Sequence, residues 1–172
     1  MATRTTIRRA RPADAAVLTA LALRSKAHWG YPDDFMRACE AELRVTAENI
    51  DDPRLAYFVA LQRDDVAGFA ALEFVGGPSA ELEALFVEPA LIGRGLGREL
   101  MQFAIRVAES RGITRLLIQG DPHAEDVYLA AGARPIGARE SGSIPGRMLP
   151  LYELQLGGIV GQGPVANNNR RT

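Results

Sequence analysis

The segment 82–101 restricts the fold of this chain more than any other. An apolar stretch runs into Pro89, then into Gly93, Gly95 and Gly97, and a long amphipathic helix begins at once. Glycines in a strand-to-helix turn let backbone N–H groups approach a ligand without intervening side chains. The helix start adds unpaired donors and a partial positive charge. The pattern therefore predicts an anion-binding turn, with a pyrophosphate as the preferred ligand.

Several kinds of turn compete for this segment. A Walker loop requires Lys after its last glycine. Because Arg98 follows Gly97 here, a Walker loop is excluded. A Rossmann turn beginning at Gly93 requires a third glycine at position 98, after the first strand of a βαβ unit. A turn that only shapes the chain is a further alternative. The acyl-CoA loop Q/R-x-x-G-x-G/A fits Gly95 and Gly97, with Ile92 at its first position. The segment thus resembles the central motif of the GNAT acetyltransferases.

A second segment, 121–133, gives an independent resemblance to the same family. It is similar to the GNAT pattern N-P-x-A-x-x-F-Y-x-x-x-G-F, with Asp121 in place of Asn and Ala133 in place of Phe. Tyr128 falls at the family's tyrosine, which implies a phenol that protonates the departing CoA thiolate. A core tyrosine is the alternative. Asp121 either contacts the pantetheine or only caps the helix.

The order of predicted elements is β-α-α-β-β-β-α-β-α-β-β, which resembles the whole GNAT fold over about residues 3–156. The resemblance implies an α+β, three-layer α/β/α architecture. Its mixed, mostly antiparallel central sheet would be splayed at strands four and five, predicted at 80–87 and 115–119. We expect a single domain over residues 1–156 and a flexible Gly/Asn-rich tail over 157–172.

The resemblance implies acetyl-CoA as co-substrate. Its pantetheine arm would enter the splay and pair with strand backbone as an added strand, while Arg94 and Arg98 would aid the phosphates. The cofactor-binding residues predicted on this basis are Leu85, Phe86, Val87, Ile92, Gly93, Arg94, Gly95, Leu96, Gly97, Arg98, Asp121 and Tyr128.

A general base is harder to identify from the sequence. Acyl transfer to an amine requires the neutral amine, hence a group that takes its proton. Glu81 and Glu83 alternate with apolar residues and so share one face of the predicted central strand. A glutamate near the start of this strand is the base in some family members. The alternatives are a solvated strand end or ion pairs with arginines, and Glu73 is a weaker candidate.

The stretch 25–32 carries the predicted acceptor site. The only Trp of the chain, Trp29, lies beside His28 and Tyr31, and in the family this region covers the acceptor. The string SKAHWGY also resembles an uncharacterised bacterial GNAT subgroup. Alternatively, the two larger aromatic rings fix the loop to the core.

Composition excludes several function classes. A net charge of -1 over 172 residues argues against nucleic acid as a partner, and no apolar run is long enough to span a membrane. The N-terminus lacks the apolar stretch of a signal peptide, so we expect a cytoplasmic protein. One cysteine, Cys39, and two histidines predict neither an internal disulfide nor a metal site.

Two hypotheses follow. The first is an N-acetyltransferase that moves the acetyl group of acetyl-CoA to a primary amine of a small molecule or peptide, by direct attack in a ternary complex. The second is a non-catalytic acyl-CoA-binding or sensing module on the same fold, for which Ile92 leaves room. A Rossmann-type nucleotide binder is a distant third. A homodimer is compatible with either of the first two.

Overall fold

The computed structural model describes residues 4–157, and within them seven strands form one sheet with helices on both faces. The strands are β1 (Thr5–Arg9), β2 (Leu55–Gln62), β3 (Asp65–Gly76), β4 (Ser79–Val87), β5 (Arg115–Gln119), β6 (Arg134–Glu140) and β7 (Met148–Gln155). The helices are α1 (Ala15–Ala27), α2 (Asp33–Leu43), α3 (Ala47–Asp51), α4 (Leu96–Ser110) and α5 (Glu125–Ala130).

The sheet is mixed, and its one parallel pair positions the cleft. The strand order is β1-β2-β3-β4-β5-β7-β6, and every neighbouring pair except β4 and β5 is antiparallel. Strands β4 and β5 pair only from Ser79 with Arg115 to Glu81 with Leu117, and then separate. The edge of β4 over 82–87 that faces β5 therefore has no strand partner among residues 4–157. The predicted α+β fold is confirmed.

Two apolar layers hold the helices against the sheet. On one face, α4 packs Met101 in a cluster with Leu116 of β5, and Leu100 in a cluster with Ala70 of β3. On the other face, Leu18 and Leu21 of α1 join a second core with strands β2 and β3. Because both faces are covered, the central strands are almost continuously apolar, and each large buried side chain contributes about 1.5–3 kcal/mol.

A β-bulge interrupts β4 where the acidic residues lie. Ala71 pairs with Ala84 and Leu72 pairs with Leu82, so Glu83 is an extra residue opposite β3. The bulge changes the alternation of the strand: Leu82 packs beneath α4, whereas Ala84 packs beneath α1 and α2. Bulges commonly re-aim side chains beside active sites, and this one sets the direction of Glu83.

Two other expectations concern a membrane-spanning segment and the C-terminal tail. No helix within residues 4–157 is both long and apolar enough to cross a membrane. The predicted flexible tail lies, from residue 158 onward, outside the described residues. The predicted domain boundary near residue 156 stays a prediction.

Candidate active site

A cleft of about 540 Å³ opens where β4 and β5 separate. Three parts of the chain form its walls: the end of β4, the glycine turn that leads into α4, and the turn after β5. The end of α1 closes it on the remaining side. Wall residues include Lys26, Trp29, Leu85, Phe86, Val87, Ile92, Gly93, Gly95, Gly97, Arg98, Asp121 and His123.

The glycine turn has a backbone conformation that other residues avoid. Gly93 and Gly95 have φ values of +79° and +89°, and no atom lies within 4 Å of where a β-carbon would stand on either. The left-handed region disfavours L side chains, and both glycines line the cleft. The turn thus leaves backbone, rather than side chains, facing the cleft.

The turn presents a row of unused hydrogen-bond donors. Among residues 4–157, no backbone carbonyl or capping side chain accepts from the N–H groups of Gly93, Gly95, Leu96, Gly97 and Arg98. Free N–H groups at the start of a long helix favour a negatively charged ligand. Their arrangement fits phosphate oxygens, so the donor set suits the pyrophosphate of a coenzyme A.

The side chains predicted for this loop divide into three groups. Arg98 and Ile92 line the cleft. The Leu96 side chain is buried in the core beneath α4, so only its backbone can serve a ligand. Arg94 is exposed and is not part of the cleft wall. The predicted contact between Arg94 and the phosphates stays a prediction.

A salt bridge marks the inner end of the cleft. Lys26 Nζ lies 2.7 Å from Asp121 Oδ2, and their side chains are only 14% and 27% exposed. Asp121 also accepts from the N–H of His123 at 3.0 Å and so caps the turn after β5. Burial alone would raise the pKa of Asp121, but the Lys26 hydrogen bond and the His123 N–H hold it below its ordinary value.

A second, smaller pocket of about 120 Å³ lies beyond this salt bridge. Four residues line both cavities, which are therefore adjacent at the gap between β4 and β5: Lys26, Leu85, Phe86 and Asp121. The rest of the smaller wall comes from α2, the β4 bulge, the end of β5, α5 and the loop between β6 and β7. It includes Cys39, Glu42, Glu83, Gln119, Tyr128, Ser141, Ser143 and Arg147.

Glu83 has the chemistry of a base at neutral pH. The residue keeps more than a third of its surface exposed, and it lines the smaller pocket, where it is partly enclosed. This partial burial, and then the nearby carboxylates of Glu73, Glu42 and Glu81, raise the pKa of Glu83 to about 7. A carboxylate with such a pKa can take a proton at neutral pH and release it again.

Glu81, the other predicted base, is held in an ion pair. The Arg139 guanidinium of β6 lies 3.0 Å from Glu81 Oε2 and 3.2 Å from Oε1. Glu81 is not among the residues that line the smaller pocket. Of the two alternatives from the sequence, a solvated strand end and an ion pair, the ion pair describes Glu81, whereas Glu83 lies on the wall of the smaller pocket.

Tyr128 lies on the wall of the smaller pocket with 4% of its surface exposed. Its ring packs against Tyr152 with centroids 5.5 Å apart. Gly120 makes room for both rings, because a β-carbon there would lie 2.9 Å from Tyr128 Cε2 and 2.7 Å from Tyr152 Cε2. Burial raises the pKa of Tyr128 well above its ordinary range, so the phenol keeps its proton at neutral pH.

The aromatic cluster predicted to bind the acceptor lies mainly beside the larger cleft. Trp29 lines that cleft and stacks on His123, with centroids 4.2 Å apart and planes 2° apart. His28 packs edge-on against Trp29. Tyr31 stacks on Phe35 at 4.2 Å, and neither His28 nor Tyr31 lines the smaller pocket. The role of all three in acceptor binding stays a prediction.

Two ion pairs at or near the site join residues that are too far apart for a local sequence pattern to indicate the contact. Lys26 and Asp121 are 95 positions apart, and Arg139 is 58 positions from Glu81. Asp121 and Glu81 were predicted as site residues from the sequence, whereas neither of their cationic partners was. Within residues 4–157 no cluster of three or more His, Cys, Asp or Glu that could bind a metal is present.

Comparison with known proteins places these features in a family. The family model described as Acetyltransferase (GNAT) family matches residues 20–133. An aminoglycoside N(6')-acetyltransferase type 1 of Stenotrophomonas maltophilia is 30% identical over 155 residues, covering 85% of this chain and 94% of the relative. A mycothiol acetyltransferase of Beutenbergia cavernae is 32% identical over 133 residues and 73% of this chain, which spans only 43% of that protein.

Solved structures show the same fold. The PaiA N-acetyltransferase of Thermoplasma acidophilum, in complex with coenzyme A, has a TM-score of 0.71 and 16% identity over 88% of this chain and 99% of its own. The ribosomal-protein-S18-alanine N-acetyltransferase of Escherichia coli has a TM-score of 0.68 and 20% identity, with 94% and 99% covered. The subgroup indicated by SKAHWGY stays a prediction.

Proposed function

Because the chain belongs to the GNAT family of acetyltransferases, we propose that it transfers the acetyl group of acetyl-CoA to a primary amine of a small molecule or peptide. The transfer would proceed by direct attack in a ternary complex. The observation that carries this proposal is the adjacency of two cavities at the gap between β4 and β5. Two substrates held on opposite sides of that gap would react without a covalent enzyme intermediate.

The larger cleft would hold acetyl-CoA. The free N–H groups of the glycine turn would bind the pyrophosphate, with Arg98 beside them. The unpaired edge of β4 over 85–87 would pair with the amides of the pantetheine arm. This orientation would bring the thioester to the Lys26–Asp121 salt bridge, at the mouth of the smaller pocket.

The smaller pocket would hold the amine beside Glu83. Amines are mostly protonated at neutral pH, and only the neutral form attacks a thioester. Glu83, directly or through one water, would take the proton from the ammonium, and the nitrogen would then form a bond to the thioester carbonyl carbon. The pKa of about 7 for Glu83 suits this step.

Tyr128 would complete the reaction as the acid. When the tetrahedral intermediate collapses, the C–S bond breaks and the CoA sulfur leaves with the electron pair. The nitrogen loses its second proton in the same stage, and through water this proton would restore the Tyr128 hydroxyl after it has acted, while Glu83 would release its proton to solvent. The Tyr128 phenol, protonated at neutral pH because burial raises its pKa, would donate its proton to that sulfur. The position of Tyr128 on the pocket wall supports this role, as does its match to the family tyrosine.

The relatives support an amine as acceptor without identifying it. The Stenotrophomonas maltophilia protein is named for transfer to a nitrogen of an aminoglycoside. The chain spans under half of the mycothiol acetyltransferase, so that protein's activity is not carried over. The cytoplasmic location, the bacterial origin and the homodimer stay predictions from the sequence.

The proposal is tested by release of CoA thiol from acetyl-CoA across a panel of amines, amino acids and peptides. Mass spectrometry of the acceptor would show a gain of one acetyl group for each thiol released. Reactions without an amine measure hydrolysis and serve as the control. Acetyl-CoA binding by calorimetry, with no acetylated product from any amine, would instead support the non-catalytic acyl-CoA-binding module.

A further inference from the structure

Arg147 is a guanidinium with no carboxylate partner on the wall of the smaller pocket. It precedes β7, and its Nη2 donates to the Tyr31 hydroxyl oxygen at 3.1 Å. Among residues 4–157 no carboxylate oxygen lies within 4.0 Å of it. The other cation of this wall, Lys26, is already paired with Asp121. Arg147 is therefore the pocket cation that remains available to an anion.

The surrounding structure fixes the position of this guanidinium. Its central carbon lies 5.3 Å from the ring centre of Tyr31 and 4.9 Å from that of Phe35. The backbone carbonyl oxygen of Arg147 accepts from the N–H of Ser141 at 2.7 Å, and this hydrogen bond closes the loop between β6 and β7. A guanidinium held between rings and a short loop is pre-organised, so little rotamer freedom remains to be lost on binding.

Two carboxylates lie on the same pocket wall as the Arg147 guanidinium. Glu83 and Glu42 line the same pocket, and its volume of about 120 Å³ suits a small ligand. A plain polyamine would satisfy the two carboxylates but would bring another cation to Arg147. A small molecule with an ammonium and a carboxylate would satisfy both, because a guanidinium binds a carboxylate through two parallel N–H donors.

We infer that the acceptor is a small amino acid, whose carboxylate is bound by Arg147 while its amine lies beside Glu83. The inference rests on the proposed function and names the substrate class of the same site. Arg147 acts as a specificity-determining residue and takes no part in the proton transfers. The competing explanation is a structural one, in which Arg147 only joins Tyr31 and Phe35 to the β6–β7 loop.

Matched acceptors separate the two explanations. Each proteinogenic amino acid would be assayed with acetyl-CoA beside its decarboxylated amine and its α-carboxamide. We expect kcat/KM to favour the amino acid over both analogues by at least about 10²-fold for the preferred side chain, since a site built to bind a polar group rejects analogues that lack it. Equal rates for the amino acid and its plain amine would overturn the inference while leaving the proposed function intact.

Substitutions at Arg147 provide a second test of the inference. In Arg147→Met we expect the KM for the preferred amino acid to rise about 10²-fold with kcat little changed, because a charge-assisted pair is lost. The KM for acetyl-CoA and for plain amines should stay near wild type, and Arg147→Lys should restore part of the loss. The exposed Arg37→Met on α2 is the matched charge control.

The outcomes remain distinguishable. If Arg147→Met raises the KM of amino acids and plain amines alike, or lowers the melting temperature without changing acceptor preference, the role is structural and the inference is wrong. If wild-type protein acetylates no amine at all, the proposed function fails and the inference fails with it.

Discussion

The two adjacent cavities between β4 and β5 present different kinds of chemical group to a ligand. The larger cleft presents mainly backbone: the N–H groups of the glycine turn and the unpaired edge of β4. The smaller pocket presents mainly side chains, with Glu42, Glu83, Tyr128 and Arg147 on its wall. Backbone donors bind a ligand common to a whole family, whereas side chains can be replaced one at a time to suit a particular acceptor.

The difference also lies in sequence distance. One stretch, 85–98, supplies most of the larger cleft's binding groups, and its glycines and helix start are visible in the sequence. Segments far apart in the chain supply the smaller pocket: the end of α1, α2, β4, the end of β5 with the turn after it, α5, and the loop before β7. Single substitutions test whether a residue belongs to the cavity in which the structure places it.

The largest expected effect comes from Gly95→Glu. Its side chain would enter the space where a phosphate is proposed to lie, and would add a negative charge there. We expect calorimetry to detect no CoA binding, a loss of more than about 10³-fold, or about 4 kcal/mol. The matched control is Gly112→Glu at the other end of α4, which also has positive φ and open space around it.

Both glycine variants should lose stability through backbone strain, by about 1–2 kcal/mol each. Only Gly95→Glu should lose CoA. Wild-type CoA affinity in Gly95→Glu would remove the glycine turn from the cofactor site.

Tyr128→Phe should have the next largest effect, this time on catalysis alone. The variant keeps the ring and removes the hydroxyl, so we expect kcat to fall about 10²–10⁴-fold, the usual contribution of a general acid. CoA affinity and melting temperature should change little. Rates must be measured where chemistry limits turnover, by single-turnover mixing of enzyme, acetyl-CoA and amine.

Tyr152→Phe is the control for that experiment. Its ring packs beside Tyr128, and its hydroxyl donates to Glu125 Oε1 at 2.8 Å. We expect this variant to retain most of the wild-type kcat. An equal loss in both variants would indicate a packing effect, and nearly full activity in Tyr128→Phe would assign the proton to a bound water.

Trp29→Ala should have the smallest effect and decides which cavity Trp29 serves. The sequence predicts a rise in the KM of the amine. The stacking of Trp29 on His123 at the larger cleft instead predicts a rise in the KM of acetyl-CoA, of roughly 2–10-fold for an aromatic pair worth about 0.5–1.5 kcal/mol. Measuring both KM values in one data set identifies the cavity. A change confined to the amine would favour the sequence-based assignment.

The fold could be predicted well because its determinants are local. The strands predicted at 80–87 and 115–119 extend over Ser79–Val87 and Arg115–Gln119 in the structure. Apolar spacing in α4 and the glycines before it likewise lie within one short stretch. The cap of α3 is equally local, because the Thr46 side chain accepts from the N–H of Asn49, three positions further on. Each of these features depends on neighbours along the chain.

The site could be predicted only in part because its remaining determinants are distant. The bulge at Glu83 depends on how β4 pairs with β3, and alternation within β4 gives Glu81 and Glu83 the same environment. Only the folded sheet brings Arg139 to Glu81 and leaves Glu83 on the pocket wall. The space that Gly120 leaves for two tyrosine rings is also a tertiary property.

The central claim is that Glu83 is the general base of the smaller pocket. The pH dependence of the reaction tests this claim most directly. A base acts only after losing its proton, so kcat/KM should rise with pH through a midpoint near 7, the pKa of Glu83. Wild type, Glu83→Gln and Glu81→Gln would be compared with one amine, so that titration of the amine is common to all three.

We predict that Glu81→Gln retains the rising limb, with its midpoint moved somewhat below that of the wild type, because the Glu81 carboxylate is one of the charges that raise the pKa of Glu83. Glu83→Gln should lose that limb of the profile, together with about 10²–10⁴-fold of the rate above it. A Glu83→Gln variant with the wild-type profile and rate would contradict the account.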